Sequence, residues 1–152
     1  MIKAVIFDYG RTLHDPDTDD FFPEAREVLE HCKRRGYKLA IVSYVDLKKG
    51  TTPESRTKKL HDAGLAGYFD LLSFATGGPD DKDRLYGEAV IFFKLSPEEV
   101  AIVDDYSIRG IAWGNKHGAT TIWLRRGKFS DILPTTQPQH TVYSLKEVTS
   151  LL

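Results

Sequence analysis

Four short runs of the chain are almost wholly apolar and rich in β-branched residues: Ala4–Phe7, Leu39–Val42, Val100–Val103 and Thr120–Leu124. None alternates apolar with polar side chains. A strand wetted on one face carries that alternation, whereas a strand covered on both faces, as in a parallel sheet, does not. The intervening segments have helical periodicity instead. Pro23 opens one that carries Ala25, Val28, Leu29 and Cys32 on one side and closes at Gly36, with proline at the start and glycine past the end. Thr52-Pro53 opens a second, which closes near Gly64; Arg84–Lys94 and Ile108–His117 read as a third and fourth, the last ending at Gly118. Ser144 and Glu147 have capping-box spacing and predict a short final helix. Strands alternating with helices through short links specify an α/β doubly wound domain, a Rossmann-like three-layer sandwich whose mainly parallel sheet has helices on both faces.

We find no repeat, low-complexity tract or domain boundary, so residues 1–152 are expected to form a single domain. The acidic stretch Asp15–Asp20 and the segment Gly127–His140, with Pro134 and Pro138, read as irregular surface excursions. With 21 basic and 22 acidic residues, the net charge of −1 gives no pull toward nucleic acid or an anionic membrane. Cys32 is the single cysteine and has no disulfide partner within the chain. No apolar run reaches membrane-span length, and the first residues lack a signal peptide's order. These features predict a soluble cytoplasmic protein.

In open α/β sheets ligands bind beyond the carboxyl ends of the strands. The first strand delivers Asp8, then Gly10 and Thr12; the second delivers Ser43, then Tyr44 and Asp46; the third strong run leads into Asp104-Asp105. Lys82 lies in the loop GGPDDKD just before a helix. Phosphoryl transfer needs such a set. A carboxylate can attack phosphorus, a pair such as Asp8 and Asp105 can hold Mg²⁺ through hard oxygens, and a lysine and a hydroxyl can steady the transferred oxygens. Gly10 lets the backbone pass close to the ion. Each residue also has a plainer reading: Asp8 as a turn former, Asp104-Asp105 as a cap on the Ile108 helix, Lys82 as a solvated loop lysine, and Ser43 as a strand-end hydroxyl. Lys33, Arg34 and Arg35 suit a helix C-terminus. Arg125, Arg126 and Lys128 are further candidates to touch an anionic substrate. The histidines show no zinc spacing, and Gly110–Lys116 lacks the length and hydroxyl of a P-loop.

The order of these motifs resembles the haloacid dehalogenase superfamily, most of whose members are Mg²⁺-dependent phosphatases. The family's first motif, D-x-D-x-T after an apolar strand, is matched by Phe7-Asp8-Tyr9-Gly10-Arg11-Thr12-Leu13. Leu39–Ser43 matches the second, Lys82 the lysine, and Ile102-Val103-Asp104-Asp105 the fourth. The similarity covers roughly residues 1–125. It implies Asp8 as nucleophile; Asp8, Gly10 and Asp105, with Asp104 behind them, around Mg²⁺; and Ser43, Tyr44, Thr12 and Lys82 on the phosphate. Gly10 stands where the family has its second aspartate, the usual proton donor, and Gly110 where a further acid commonly supports the metal. Losing a general acid costs about 10²–10⁴ in rate, least for acyl or aryl phosphates. Water, His14 or Asp46 are the candidate proton carriers. The spacing leaves no room for a cap domain, which implies a large, macromolecular phosphorylated substrate or a neighbouring subunit of a homo-oligomer as lid. Two further readings of the same residues are a non-catalytic phosphate- or partner-binding module on this fold and a response-regulator receiver. The position of the acid pair on a late strand disfavours the receiver.

Overall fold

The computed structural model describes residues 1–78 and 80–152. Six parallel strands form the sheet: β1 (Ala4–Phe7), β4 (Lys38–Tyr44), β5 (Leu71–Ala75), β6 (Val100–Asp104), β7 (Thr120–Leu124) and β8 (His140–Val142). Their spatial order is β5-β4-β1-β6-β7-β8. The fold is the Rossmann-type α/β sandwich expected from the sequence. Residues of β1 alternate between two cores. Val5 and Phe7 face a layer containing Val28, Leu29 and Cys32 of α1 (Ala25–Arg34) and Leu60 of α2 (Pro53–Asp62). Ala4 and Ile6 face Leu85, Tyr86 and Ala89 of α3 (Asp81–Phe93), with Trp113 of α4 (Ala112–His117) packed alongside. A strand presents successive side chains to opposite faces, so a wholly apolar β1 is what two covered faces require.

Local chemistry sets the helix ends. Thr52 caps α2 through a reciprocal capping box with Ser55, and Pro53 occupies the first turn. Ser144 and Glu147 form the predicted capping box over a 3₁₀ segment, Leu145–Ser150. Other expectations shift. Helix α3 begins at Asp81 rather than Arg84, so Lys82 stands in its first turn and not in a loop; Pro79 of that segment lies outside the described residues. The fourth helix is split into a π turn, Ser107–Ile111, followed by α4. The acidic stretch is no simple loop: β2 (His14–Asp15) and β3 (Asp20–Phe21) pair as an antiparallel hairpin. At the end of the presumed irregular tail, β8 extends the sheet beside β7. No described helix is long and apolar enough to cross a membrane.

Strand β1 sits between β4 and β6. The chain leaves β1 toward one side for β4 and β5, then returns across to β6. That reversal opens a crevice at the carboxyl ends of β1 and β6, where such folds bind ligands.

Candidate active site

Asp8 immediately follows β1, and its amide donates to the Val103 carbonyl of β6 at 3.0 Å. Asp105 immediately follows β6. The indole N–H of Trp123 on β7 holds the Asp105 carbonyl oxygen at 3.1 Å. Thr12 is fully buried, and its hydroxyl lies 3.3 Å from Asp105 Oδ1 and 3.5 Å from Asp8 Oδ2. The resemblance implied a phosphate contact for Thr12; the structure encloses its hydroxyl between the two carboxylates. Lys82 Nζ donates to Asp8 Oδ1 at 3.0 Å and Asp104 Oδ2 at 2.9 Å. One helical turn further along α3, the Tyr86 hydroxyl donates to the same Asp104 oxygen at 3.1 Å. The Tyr106 amide donates to the other oxygen at 3.0 Å.

The charges are strongly coupled. Burial alone would lower the Lys82 pKa, but Asp104 and Asp8 together outweigh it and hold the ammonium well above its usual value. Burial raises the Asp104 carboxyl, with Lys82 opposing. Asp105 is pushed up to about 9 by burial and by the neighbouring charges of Asp8 and Asp104. One carboxylate oxygen of each of these three aspartates can be chosen so that all lie within 4.8 Å of one another. Asp105 Oδ2 is buried without a hydrogen-bond partner. A buried, orphaned carboxylate oxygen beside two other carboxylates fits a hard divalent cation. Asp104 is wholly enclosed, with its oxygens held by Lys82, Tyr86 and the Tyr106 amide, whereas Asp8 and Asp105 line the cleft and are the more available donors.

Gly110 adjoins this cluster. A Cβ there would fall 2.6 Å from Asp104 Oδ2 and 2.6 Å from the Tyr86 hydroxyl oxygen. No acid can stand at position 110 without displacing that pair.

Ser43, near the end of β4, and Tyr44 face the same cleft as Asp8, Lys82 and Asp105, a space of about 380 Å³. Arg56 of α2 enters it too. Its Nη1 donates to Ser43 Oγ and to the Tyr44 carbonyl, both at 2.8 Å, and its guanidinium lies 4.5 Å from the centroid of the Tyr9 ring. Burial pulls its pKa below the usual arginine value, with Asp8 and Tyr9 countering. Arg56 is absent from the sequence-based site. The available signal was its position one turn before Leu60, the buried residue of α2. Arg11 and Arg109 complete the basic lining, and Tyr106 and Phe129 form an aromatic part of the wall with ring centroids 4.5 Å apart.

Several candidates lie elsewhere. Asp46 caps a turn by accepting from the Lys48 amide. His14 is buried under Tyr9 and bonds Asp19 at 3.1 Å. Neither lines the cleft itself; His14 lines an adjoining space that shares Gly10 and Arg56 with it. Arg126 pairs with Glu24 at 2.8 Å and covers Phe22, and Arg125 donates to the Ser130 carbonyl. Those arginines brace loops instead of touching a ligand in the cleft.

An acid cluster and a lysine stand at the switch point of a six-stranded parallel sheet, in a doubly wound domain. Residues 2–118 match the haloacid dehalogenase-like hydrolases, and the chain belongs to that family. Over 131 residues it is 31% identical to a phosphoserine phosphatase of Thermus thermophilus, covering 84% of this chain and 49% of the relative. Over 132 residues it is 24% identical to a glyceraldehyde 3-phosphate phosphatase of Pyrococcus furiosus, covering 86% and 52%. The chain thus spans about half the length of the curated relatives it matches. It superposes on the structure of an uncharacterized protein from Listeria monocytogenes serotype 4b with a TM-score of 0.82 and 23% identity, covering 99% of this chain and 96% of the other.

Proposed function

We propose that the chain is a Mg²⁺-dependent phosphatase working through an aspartyl-phosphate on Asp8. The observation that carries this is the junction of Asp8 with Asp105 through Thr12, beside a fully charged Lys82 and an orphaned Asp105 oxygen. The activities named for the two relatives, both on alkyl phosphates, support transfer of a phosphoryl group as the chemistry and leave the identity of the leaving group open. Asp8 and Asp105, with the backbone at Gly10, would hold the cation; Asp104 stays behind them and anchors Lys82. Bound there, Mg²⁺ supplies charge neutralisation and polarisation of a phosphoryl oxygen.

The chain's own residues then divide the work. Asp8 attacks phosphorus, the bond from phosphorus to the ester oxygen breaks, and the phosphoryl group passes to the carboxylate. Lys82, Ser43 and the wall around Tyr44 bind the phosphoryl oxygens as negative charge spreads over them. Water then hydrolyses the acyl phosphate and restores Asp8. Between β1 and α1 stands only the β2–β3 hairpin, and between β4 and β5 only α2 with short turns. We read the site as uncapped, open to a large phosphorylated partner or closed by a second subunit. The second reading is a non-catalytic phosphate- or partner-binding module, favoured by the glycines at positions 10 and 110 where the family commonly carries acids; at 110 Asp104 and Tyr86 occupy the space a side chain would need.

The test is Mg²⁺-dependent hydrolysis of p-nitrophenyl phosphate. Wild type turns over and Asp8→Asn falls to background. Equal rates for the two proteins, both at background, refute the reading.

A further inference from the structure

Arg56 is the largest feature of the cleft to which the chemistry above gives no role. Arg56 is half-buried, and its hydrogen-bonding and stacking partners are neutral: the Ser43 hydroxyl, the Tyr44 carbonyl and the Tyr9 ring. Among the described residues no carboxylate lies within salt-bridge distance of it, whereas Lys82 has two and Arg109 has Asp80. A partly desolvated cation opposed only by Asp8 from beyond contact distance is incompletely compensated, and a ligand anion would relieve the remaining cost. The group also faces the right way. Nη1 is 2.8 Å from Ser43 Oγ, and Nη2 lies 3.9 Å from the point where a side chain on residue 10 would begin. The planar fork therefore spans the interval between Ser43 and Gly10 beside Asp8, and a guanidinium fork matches phosphoryl oxygens in pairs.

The charges agree. Asp8, Asp104 and Asp105 against Lys82 and a divalent cation sum to zero. Arg56 and Arg11 then offer two positive charges to a phosphate monoester dianion. Among the described residues, no carboxyl or imidazole beyond Asp8 and Asp105, which the chemistry already uses, lines the cleft. Its other donors are phenols, the Ser43 hydroxyl and cations, and a guanidinium keeps its protons at neutral pH, so Arg56 would stabilise a departing oxygen by charge.

Resting on the phosphatase reading above, we propose that Arg56 is a catalytic residue, a second cation that grips the reacting phosphoryl group and lets the ester oxygen depart as an anion. As Asp8 bonds to phosphorus, the electron pair of the breaking bond leaves on the ester oxygen, which takes its proton from water afterwards. The substrates handled efficiently are then phosphates of acidic leaving groups, acyl and aryl or enol phosphates, not simple alkyl phosphates.

Two measurements on the full chain test this. The first is turnover of acetyl, p-nitrophenyl and glycerol phosphates by wild type, Arg56→Gln and Arg56→Lys, the glutamine variant being made in both wild-type and Ser43→Ala backgrounds. Wild type is expected to prefer the acidic leaving groups by at least about 10²-fold. Arg56→Gln is expected to lose about 10²–10³ in kcat/KM, with Arg56→Lys recovering part. Arg56→Gln should still cost roughly tenfold or more on top of Ser43→Ala. The second is calorimetric binding of orthovanadate, which needs no turnover and is expected to weaken by a similar factor in Arg56→Gln. Vanadate affinity and kcat/KM within twofold of wild type in Arg56→Gln overturn the proposal. So does a loss that vanishes in the Ser43→Ala background, since Arg56 would then only position Ser43. If Asp8→Asn is also as active as wild type, the phosphatase reading has failed; if only the Arg56 results fail, that reading stands.

Discussion

Replacing Gly110 with alanine tests how tightly Asp104 is clamped. The added Cβ would lie 2.6 Å from Asp104 Oδ2, 2.6 Å from the Tyr86 hydroxyl oxygen and 3.1 Å from Ile102 Cγ2, where ordinary contact begins near 3.4 Å. Something must therefore yield by about 0.8 Å in a close-packed interior. Neither partner is free to do so. Asp104 Oδ2 holds Lys82 at 2.9 Å and Tyr86 at 3.1 Å, and Tyr86 is stacked on Trp113 with centroids 5.4 Å apart. Overpacking costs about 1–3 kcal/mol, and weakening a charge-assisted hydrogen bond adds about 1.5–3 kcal/mol. Alanine returns about 0.4–1 kcal/mol by stiffening the unfolded chain. The net loss is about 2–5 kcal/mol, which for a chain of this size lowers Tm by about 10 °C. Urea denaturation and calorimetry measure it, with Gly10→Ala as the control. A Cβ on Gly10 meets nothing nearer than Arg56 Nη2 at 3.9 Å, so that variant is expected within about 0.5 kcal/mol of wild type. If the two alanine variants melt together, the packing argument at position 110 is refuted.

Metal-free stability should depend on pH through Asp105. Its folded pKa of about 9 exceeds an ordinary carboxylate's, so the folded state holds an extra proton between those values. The associated stability is present in acid and is lost as pH rises toward about 9. Millimolar Mg²⁺ should therefore raise Tm more at pH 8 than at pH 5, and an equal or larger shift at pH 5 would contradict this. Lys82→Met strands Asp104 beside Asp8 without a cation. It should cost about 3–5 kcal/mol at pH 7.5 in urea titrations and visibly less at pH 5, because burial raises the Asp104 carboxyl and eases its protonation. Burial raises the Cys32 thiol to about 12. Native protein should resist a thiol-specific chromogenic reagent until denatured, and rapid native labelling would show that the α1 core opens readily.

The strands of the sheet centre were legible because two covered faces demand uninterrupted apolar residues, as in Ala4–Phe7 and Thr120–Leu124. The short β8, His-Thr-Val at an edge, lacks that signature, and its first two residues are exposed. The β2–β3 hairpin is set by backbone geometry. Arg11 adopts a left-handed φ of 63° while its amide donates to the His14 carbonyl at 2.7 Å, and composition says little about such a bend. Asp8, Ser43 and Asp105 could be read at strand ends because topology alone delivers them to one rim. Arg56 could not, since in sequence it is one of several basic residues on α2 beside Lys58 and Lys59. Its inward direction emerges only when Leu60 is known to face the core. Thr12 and Asp104 were found as positions, but their partners depend on side-chain directions that spacing does not encode.

The site is stitched from distant parts of the chain. Thr12 and Asp105 meet across 93 residues, and Lys82 reaches Asp8 across 74. Loops of that length close late and slowly in parallel sheets. A growing polypeptide that has not yet delivered β6 thus carries Asp8 with neither its acidic neighbour nor its clamp. Enzymatic output would report completed tertiary assembly, and partly synthesised or locally melted molecules would be silent in place of promiscuous.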